Sequence, residues 1–228
     1  MAQPPVLLTR PRAASDALAG RLRAAGVGHV EVSPLLDIRP VDALPPLAEA
    51  LILTSPNGIK AYATLGGPPG IAAWCVGPRT AGRAAAHGLQ VQGVAEDAHT
   101  LAGQIPRDAP PLLHLRGAHQ RGDLVGDLRR RGLKATDAVI YDQVALPLTD
   151  AAAALVADGP VLTPLYSPRT AVLLAEALPA SRHGNIRTVC ISKAVVQAAP
   201  FDCLAVAARP DGAAMERAIL AALGHIGG

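Results

Sequence analysis

Leu51-Ile52-Leu53-Thr54-Ser55-Pro56-Asn57-Gly58 opens as a short apolar run and ends in a turn, and Asn57 to Leu65 continues as an amphipathic stretch with helical spacing. The same succession recurs along the chain. Val6 to Thr9 leads into Arg12 to Ala25, Trp74 to Val76 into Arg79 to His87, Leu112 to Leu115 into Gly122 to Arg131, and Val161 to Tyr166 into Arg169 to Leu178. Short apolar runs separated by helical stretches indicate βα units, because parallel strands need crossovers and helices supply them. Gly26, Gly88 and Gly132 stand where three of these helices should stop. The fold class predicted is α/β with parallel sheets.

Working outward, the opening stretch has an echo. Leu53-Thr54-Ser55-Pro56-Asn57-Gly58 is matched by Leu165-Tyr166-Ser167-Pro168-Arg169-Thr170. Leu7-Leu8-Thr9-Arg10-Pro11, followed by a helix, Gly26 and Val30-Glu31-Val32, is matched by Leu113-His114-Leu115-Arg116-Gly117, a helix, Gly132 and Val139-Ile140-Tyr141. Cys75-Val76-Gly77-Pro78-Arg79 has a looser partner in Cys190-Ile191-Ser192-Lys193. The matches do not keep the same order, so the second copy reads as a circular permutation of the first. One domain is then expected from both chain ends and the other as an insertion. Val30 to Ile38 and Ala138 to Leu146 are extended stretches longer than one strand needs, as expected of strands passing between two bodies. The bounds this gives are 1–36 with 147–228, 40–138, and a ribbon of 30–39 and 138–146.

Composition narrows the functional classes. In 228 residues, 50% hydrophobic content supports a real core, while aromatics at 2% leave few rings for stacking on bases. The net charge of +3 and pI near 9.0 suit an anionic ligand. The longest basic run, Arg129-Arg130-Arg131, precedes Gly132 as a helix end would, so no nucleic-acid partner is expected. Cys75, Cys190 and Cys203 have no CxxC spacing and sit in apolar runs, which points to reduced, packed thiols. Met1-Ala2-Gln3-Pro4-Pro5 lacks a signal-peptide pattern, and no apolar segment is long enough to cross a bilayer. A cytoplasmic protein without a membrane partner is expected. The seven histidines never approach HxxxH spacing, so no metal is expected, and GxSxG, Walker and Rossmann glycine patterns are missing.

Six motifs together resemble the uroporphyrinogen-III synthase family. They are Leu7-Leu8-Thr9-Arg10-Pro11, Leu53 to Gly58, Val76-Gly77-Pro78-Arg79-Thr80-Ala81, Leu115-Arg116-Gly117, Val139-Ile140-Tyr141-Asp142, and Tyr166 to Thr170 with Ile191-Ser192 after it. The resemblance implies two flavodoxin-like parallel-sheet domains joined by a two-stranded antiparallel ribbon. It also implies a cofactor-free enzyme of heme biosynthesis that closes hydroxymethylbilane to uroporphyrinogen III, inverting ring D and losing water. Nothing in the sequence asks for more than a monomer. Among the residues it implies is Tyr141 as the catalytic candidate, beside a packing role for the same ring.

The substrate carries many carboxylates, and α/β folds bind ligands beyond the carboxyl ends of their strands, where helix starts offer free N–H groups. Ser55, Thr80, Ser167 and Ser192 stand at such helix starts, as caps or as carboxylate ligands. Arg10, Arg79, Arg116 and Arg169 recur at strand ends in both halves, where a guanidinium fork fits a carboxylate. Thr54, Gly77, Gly117 and Pro168 complete the substrate-binding set, with Arg12, Arg121 and Lys193 ranked below it. His114 and His119 flank Arg116, His114 reading as a packed strand residue. Two departures from the family stand out: Ala198-Ala199-Pro200 shortens the helix after Ser192, and Tyr166 is bulkier than expected and projects toward the ligand. The alternatives are a two-lobed binding protein that holds an anionic small molecule without turning it over, and a regulatory domain.

Overall fold

The computed structural model describes residues 3–119 and 122–224, so Arg121 lies outside the described residues. The chain begins with β1 (Val6–Leu8), α1 (Arg12–Ala24) and β2 (Val30–Val32). It continues through β3 (Leu36–Pro40), β4 (Ala50–Leu53), α2 (Pro56–Thr64), β5 (Ala72–Val76), α3 (Pro78–Ala86) and β6 (Gln90–Ala95). Next come α4 (Ala98–Gln104), β7 (Leu112–Gly117), α5 (Leu124–Arg130) and the long β8 (Ala135–Ala145). The last stretch holds α6 (Asp150–Asp158), β9 (Val161–Leu165), α7 (Pro168–Glu176), β10 (Ile186–Cys190), α8 (Lys193–Val196), β11 (Asp202–Val206) and α9 (Gly212–Ala222).

Two compact units result, one from the chain up to Asp37 together with the chain from Ala145, the other from Ile38–Val144. In the first, the sheet order is β2-β1-β9-β10-β11, with parallel pairs throughout. Counted within that unit the order is 2-1-3-4-5, the doubly wound flavodoxin pattern. The inserted unit carries β3-β8-β7-β4-β5-β6, parallel from β8 to β6. With β7 and β8 counted first and β4, β5 and β6 after them, its parallel strands give 2-1-3-4-5 again. The permutation read from the sequence echoes is therefore present in the strand order. Leu53 lies opposite Leu115 in the inserted unit, and β9, which carries Leu165, pairs with β1 through Val6 opposite Leu162. The echo fails at β2 and β8, where Leu8 faces Val32 but His114 faces Asp137, so Val30–Val32 is not the spatial counterpart of Val139–Tyr141.

Continuous apolar runs form the central strands because both sheet faces are covered. Val6 and Leu8 enter one core cluster with Leu18, Leu22 and Met215, while Leu7 enters another with Val161, Leu165 and Leu174. Leu51 and Leu53 likewise divide from Ala50 and Ile52 in the inserted unit. Helix ends carry the expected chemistry. Gly26 takes φ +91°, and the amide of Val27 then reaches back to Leu22 O at 3.0 Å, closing α1.

Two features depart from expectation. Val30 to Ile38 is not one strand but two, β2 and β3, interrupted around Ser33-Pro34, where proline has no amide to give a ladder. Ser33 Oγ instead accepts the Thr149 amide at 2.9 Å. Pro164 sits in the buried central strand β9. The Leu162 amide donates to Pro5 O at 2.9 Å, so the next donor on that side would come from Pro164, which has none. Accordingly β9 shares only the Val6–Leu162 register pair with β1, while its ladder to β10 runs the full length of the strand. β3 and β8 run antiparallel: Val41 N donates to Ile140 O and Leu146 N to Leu35 O. Among the described residues, no helix is long and apolar enough to cross a membrane.

Candidate functional site

The carboxyl ends of β4 and β7 in the inserted unit open on a cavity of about 250 Å³, lined by Thr54, Ser55, Ala98, His114, Arg116, Gly117, His119, Leu124, Tyr141 and Gln143. Five sequence-predicted residues meet here: Thr54, Ser55, Arg116, Gly117 and Tyr141. Ser55 caps α2, its Oγ accepting the Asn57 amide at 3.2 Å, and Pro56 fills the first helical position, where no amide is needed. Ala98 and Leu124 are the first residues of α4 and α5, behind the capping carboxylates Asp97 and Asp123. Three helix starts therefore border the cavity, each presenting the positive end of its dipole.

Gly117 and Tyr141 meet through an irregularity in pairing. The register of β7 against β8 shifts between Arg116 and Gly117, which sets Gly117 opposite Tyr141. A Cβ on Gly117 would fall 2.6 Å from Tyr141 Cζ, so the ring occupies the space that only glycine leaves. The ring is 4% exposed and packed with Leu115 and Ile140, yet it forms part of the cavity wall. Arg116 is half-buried and pairs through Nε with the Asp137 carboxylate, while Nη1 donates to Gly117 O at 3.1 Å. Its fork is thus anchored before any ligand arrives.

His114 and His119, which the sequence set aside, also line the cavity. His114 is packed as expected, at 3% exposure, but its Nε2 lies 3.1 Å from Thr54 Oγ1. Burial pushes its pKa down to about 4, opposed by the Asp137 carboxylate and assisted by Arg116. His119 Nδ1 lies 3.5 Å from Asp142 Oδ1 in a more exposed position. The flanking of Arg116 by two histidines was a usable signal. Ala98 and Leu124 could have been found from the aspartates preceding them.

The remaining candidates occupy other strand ends. In the inserted unit, Gly77 (φ +80°) caps α3, Arg79 is exposed and Thr80 is 1% exposed, all outside the cavity wall. In the first unit, Arg10 stacks on Tyr166, its Cζ 4.0 Å from the ring centroid. Tyr166 is half-buried against the first core cluster, and burial raises its pKa, opposed by Arg10. Ser167 caps α7, accepting the Thr170 amide at 3.1 Å and lying 2.8 Å from Thr170 Oγ1, with Pro168 and Arg169 in the first turn. Ser167→Ala should cost about 1 kcal/mol of stability, readable as a lower urea midpoint, and an unchanged midpoint would show that the cap contributes nothing. Ser192 stands before the four-residue α8 without a side-chain capping bond, and Lys193 is exposed. Arg12 pairs with Asp16 at 3.1 Å on the surface of α1. Burial raises the Cys75 and Cys190 thiols to about 11, which leaves them protonated and poor nucleophiles.

The arrangement can hold an acidic, flexible molecule by hydroxyl and guanidinium donors while one phenol ring borders it. Comparison with known proteins bears on what that molecule is. The family model described as uroporphyrinogen-III synthase HemD matches residues 16–219. Among solved structures, the uroporphyrinogen-III synthetase of Helicobacter pylori is 18% identical with a TM-score of 0.66, over 96% of this chain and 99% of that one. A mutant uroporphyrinogen III synthase of the extreme thermophile Thermus thermophilus is 14% identical with a TM-score of 0.56, over 97% and 100%. At these identities the structural likeness concerns the fold. A search of curated proteins finds no match. With a family model covering most of its length and the same fold in those structures, the chain belongs to the uroporphyrinogen-III synthase family.

Proposed function

We propose that the cavity at the ends of β4 and β7 is where this chain carries out the family's reaction. That reaction is the cyclisation of hydroxymethylbilane in heme biosynthesis, a lyase step on a small-molecule substrate. The observation that carries the proposal is the meeting of Thr54, Ser55, Arg116, Gly117 and Tyr141 on one cavity wall.

In the chemistry, the terminal hydroxymethyl C–O bond breaks as pyrrole nitrogen electrons push in. The oxygen leaves as water once it has gained a proton, giving an azafulvene. The azafulvene carbon bonds to the ring D α-carbon that already carries a methylene bridge, giving a spiro intermediate. The older bond from that carbon to its methylene then breaks and re-forms at the free α-carbon of ring D, where the proton is lost. Tyr141 donates a hydrogen bond or proton to the departing oxygen. Thr54, Ser55 and Arg116 hold carboxylates, and the backbone at Gly117 sets the Tyr141 ring. Holding the chain folded so that the inverted ring meets its partner carbon is the larger contribution. Arg10, Gly77, Arg79, Thr80, Ser167, Pro168, Arg169 and Ser192 serve as further contacts, since each stands at the carboxyl end of a parallel strand or the helix start after it. Thr80, being buried, acts through that helix start.

The functional lobes are taken as 1–36 with 147–228 and 40–138, connected by 30–39 and 138–146. We further propose a cytoplasmic monomer without a nucleic-acid partner, in keeping with free cysteines and the scarcity of aromatic residues.

The test uses freshly generated hydroxymethylbilane, with the porphyrin isomers resolved after oxidation. Isomer III is expected, and formation of isomer I alone would refute cyclisation with inversion. Tyr141→Phe should lower kcat by about 10²-fold or more, and undiminished closure in that variant removes the acid role from Tyr141.

A further inference from the structure

His114 is the polar side chain most deeply set in the cavity wall, and its two ring nitrogens are unequally served. Nε2 has Thr54 Oγ1 at 3.1 Å. Nδ1 is buried without a hydrogen-bond partner among the described residues. With its pKa near 4, the ring is neutral at physiological pH and owns one N–H and one lone pair. Placing the proton on Nδ1 would bury an N–H with no acceptor. Placing it on Nε2 leaves only an unserved lone pair, and orphaned buried N–H groups are the rarer and costlier defect. The second arrangement is therefore the one the surroundings select.

We propose that His114 is a positioning residue whose Nε2–H donates to Thr54 Oγ1 and so turns the threonine hydroxyl into an obligate donor facing the cavity, where it binds a carboxylate oxygen of the substrate. The proposal rests on the reading of this cavity as the substrate site. Its logic is that a hydroxyl has one hydrogen. Unoriented, Thr54 would spend that hydrogen on a histidine lone pair and meet the ligand with its own lone pairs, which repel a carboxylate. With Nε2–H occupying the oxygen, the hydrogen points where an anion can use it. The register of the sheet maintains the geometry, since Ile52, two residues before Thr54 on the same face, lies opposite His114.

Histidine-selective ¹⁵N NMR on the intact wild-type protein reads the tautomer directly. The neutral Nε2–H form is expected from pH 7 down to pH 5. A neutral Nδ1–H form, or an imidazolium at pH 7, would overturn the proposal. Kinetics supply the second arm. Thr54→Val should raise KM about tenfold with kcat within twofold, the loss expected for one hydrogen bond to a charged group. His114→Leu should match it, the double variant should be no worse than either single one, and His114→Gln, which keeps an amide donor near Nε2, should recover most of the affinity. A Thr54→Val enzyme with normal KM overturns the inference, while the reading of the cavity as the substrate site is decided separately by Ser55, Arg116 and Tyr141 variants. An impaired Thr54→Val beside a normal His114→Leu, or a loss falling on kcat alone, overturns the role of His114 and leaves the site in place. Should His114→Leu fail to fold, the tautomer measurement still decides.

Discussion

Gly117→Ala is expected to destabilise the inserted unit by about 2 kcal/mol, the usual cost of forcing a methyl into a packed core, and to reduce cyclisation with it. The added Cβ would lie 2.6 Å from Tyr141 Cζ, 2.7 Å from Cε2 and 2.9 Å from the hydroxyl oxygen. The ring is buried in the core cluster that holds Leu53, Leu115 and Ile140, and its strand is tied by the Ala118 amide to Tyr141 O at 3.0 Å. Either the ring swings out, exposing a buried phenol and vacating the cavity wall, or β7 and β8 separate at their irregular pair. Urea denaturation and the isomer assay together test this. Unchanged stability and activity would mean that the ring has room the packing does not show. The two residues should also couple: in a Tyr141→Leu background the same alanine should cost much less, because the atoms it strikes have gone.

The second large effect is on acid stability. Burial depresses His114 from 6.5 to about 4 in the folded chain, so between those values the unfolded chain binds a proton that the folded one excludes. Stability is then full above pH 6.5 and falls as pH drops toward 4. The loss amounts to roughly 3 kcal/mol at its limit, because every tenfold difference in proton affinity between the two states is worth about 1.4 kcal/mol. His114→Gln, which has nothing to protonate, should show a shallower decline, with most of the difference present by pH 4.5. Denaturant midpoints at pH 7 and pH 4.5 measure it. Parallel declines in the two proteins would assign the acid sensitivity to other groups.

Legibility differed between elements for identifiable reasons. The α/β alternation and the helix starts at Ser55-Pro56 and Ser167-Pro168 depend on neighbouring residues, and neighbouring residues can be read. The permuted sheet order was readable too, because the paired strands β4 and β7 and their counterparts β9 and β1 carry related sequences. The division of Val30 to Ile38 at Pro34 was signalled by the proline but outweighed by the apolar pattern around it. Other features have no local mark. The closeness of Gly117 and Tyr141 depends on a one-residue slip between strands, and the bond from His114 to Thr54 joins residues sixty positions apart. Arg116 reads as a free fork in sequence, yet Asp137 on the next strand already holds it.

The strand that opens the chain has to wait. β1 lies between β2 and β9, and Val6 finds its partner Leu162 only after the whole inserted unit has been made. On a ribosome, residues 38–144 can therefore close their own sheet while β1 and β2 remain an incomplete pair with apolar faces uncovered. The later-starting unit would mature first. The first three strand residues, Val6, Leu7 and Leu8, all fully buried at the end, are the ones exposed longest at the beginning. Slow steps in assembly, and any tendency to stick to other chains on the way, are thus expected in the unit built from both ends, which has the long loop to close.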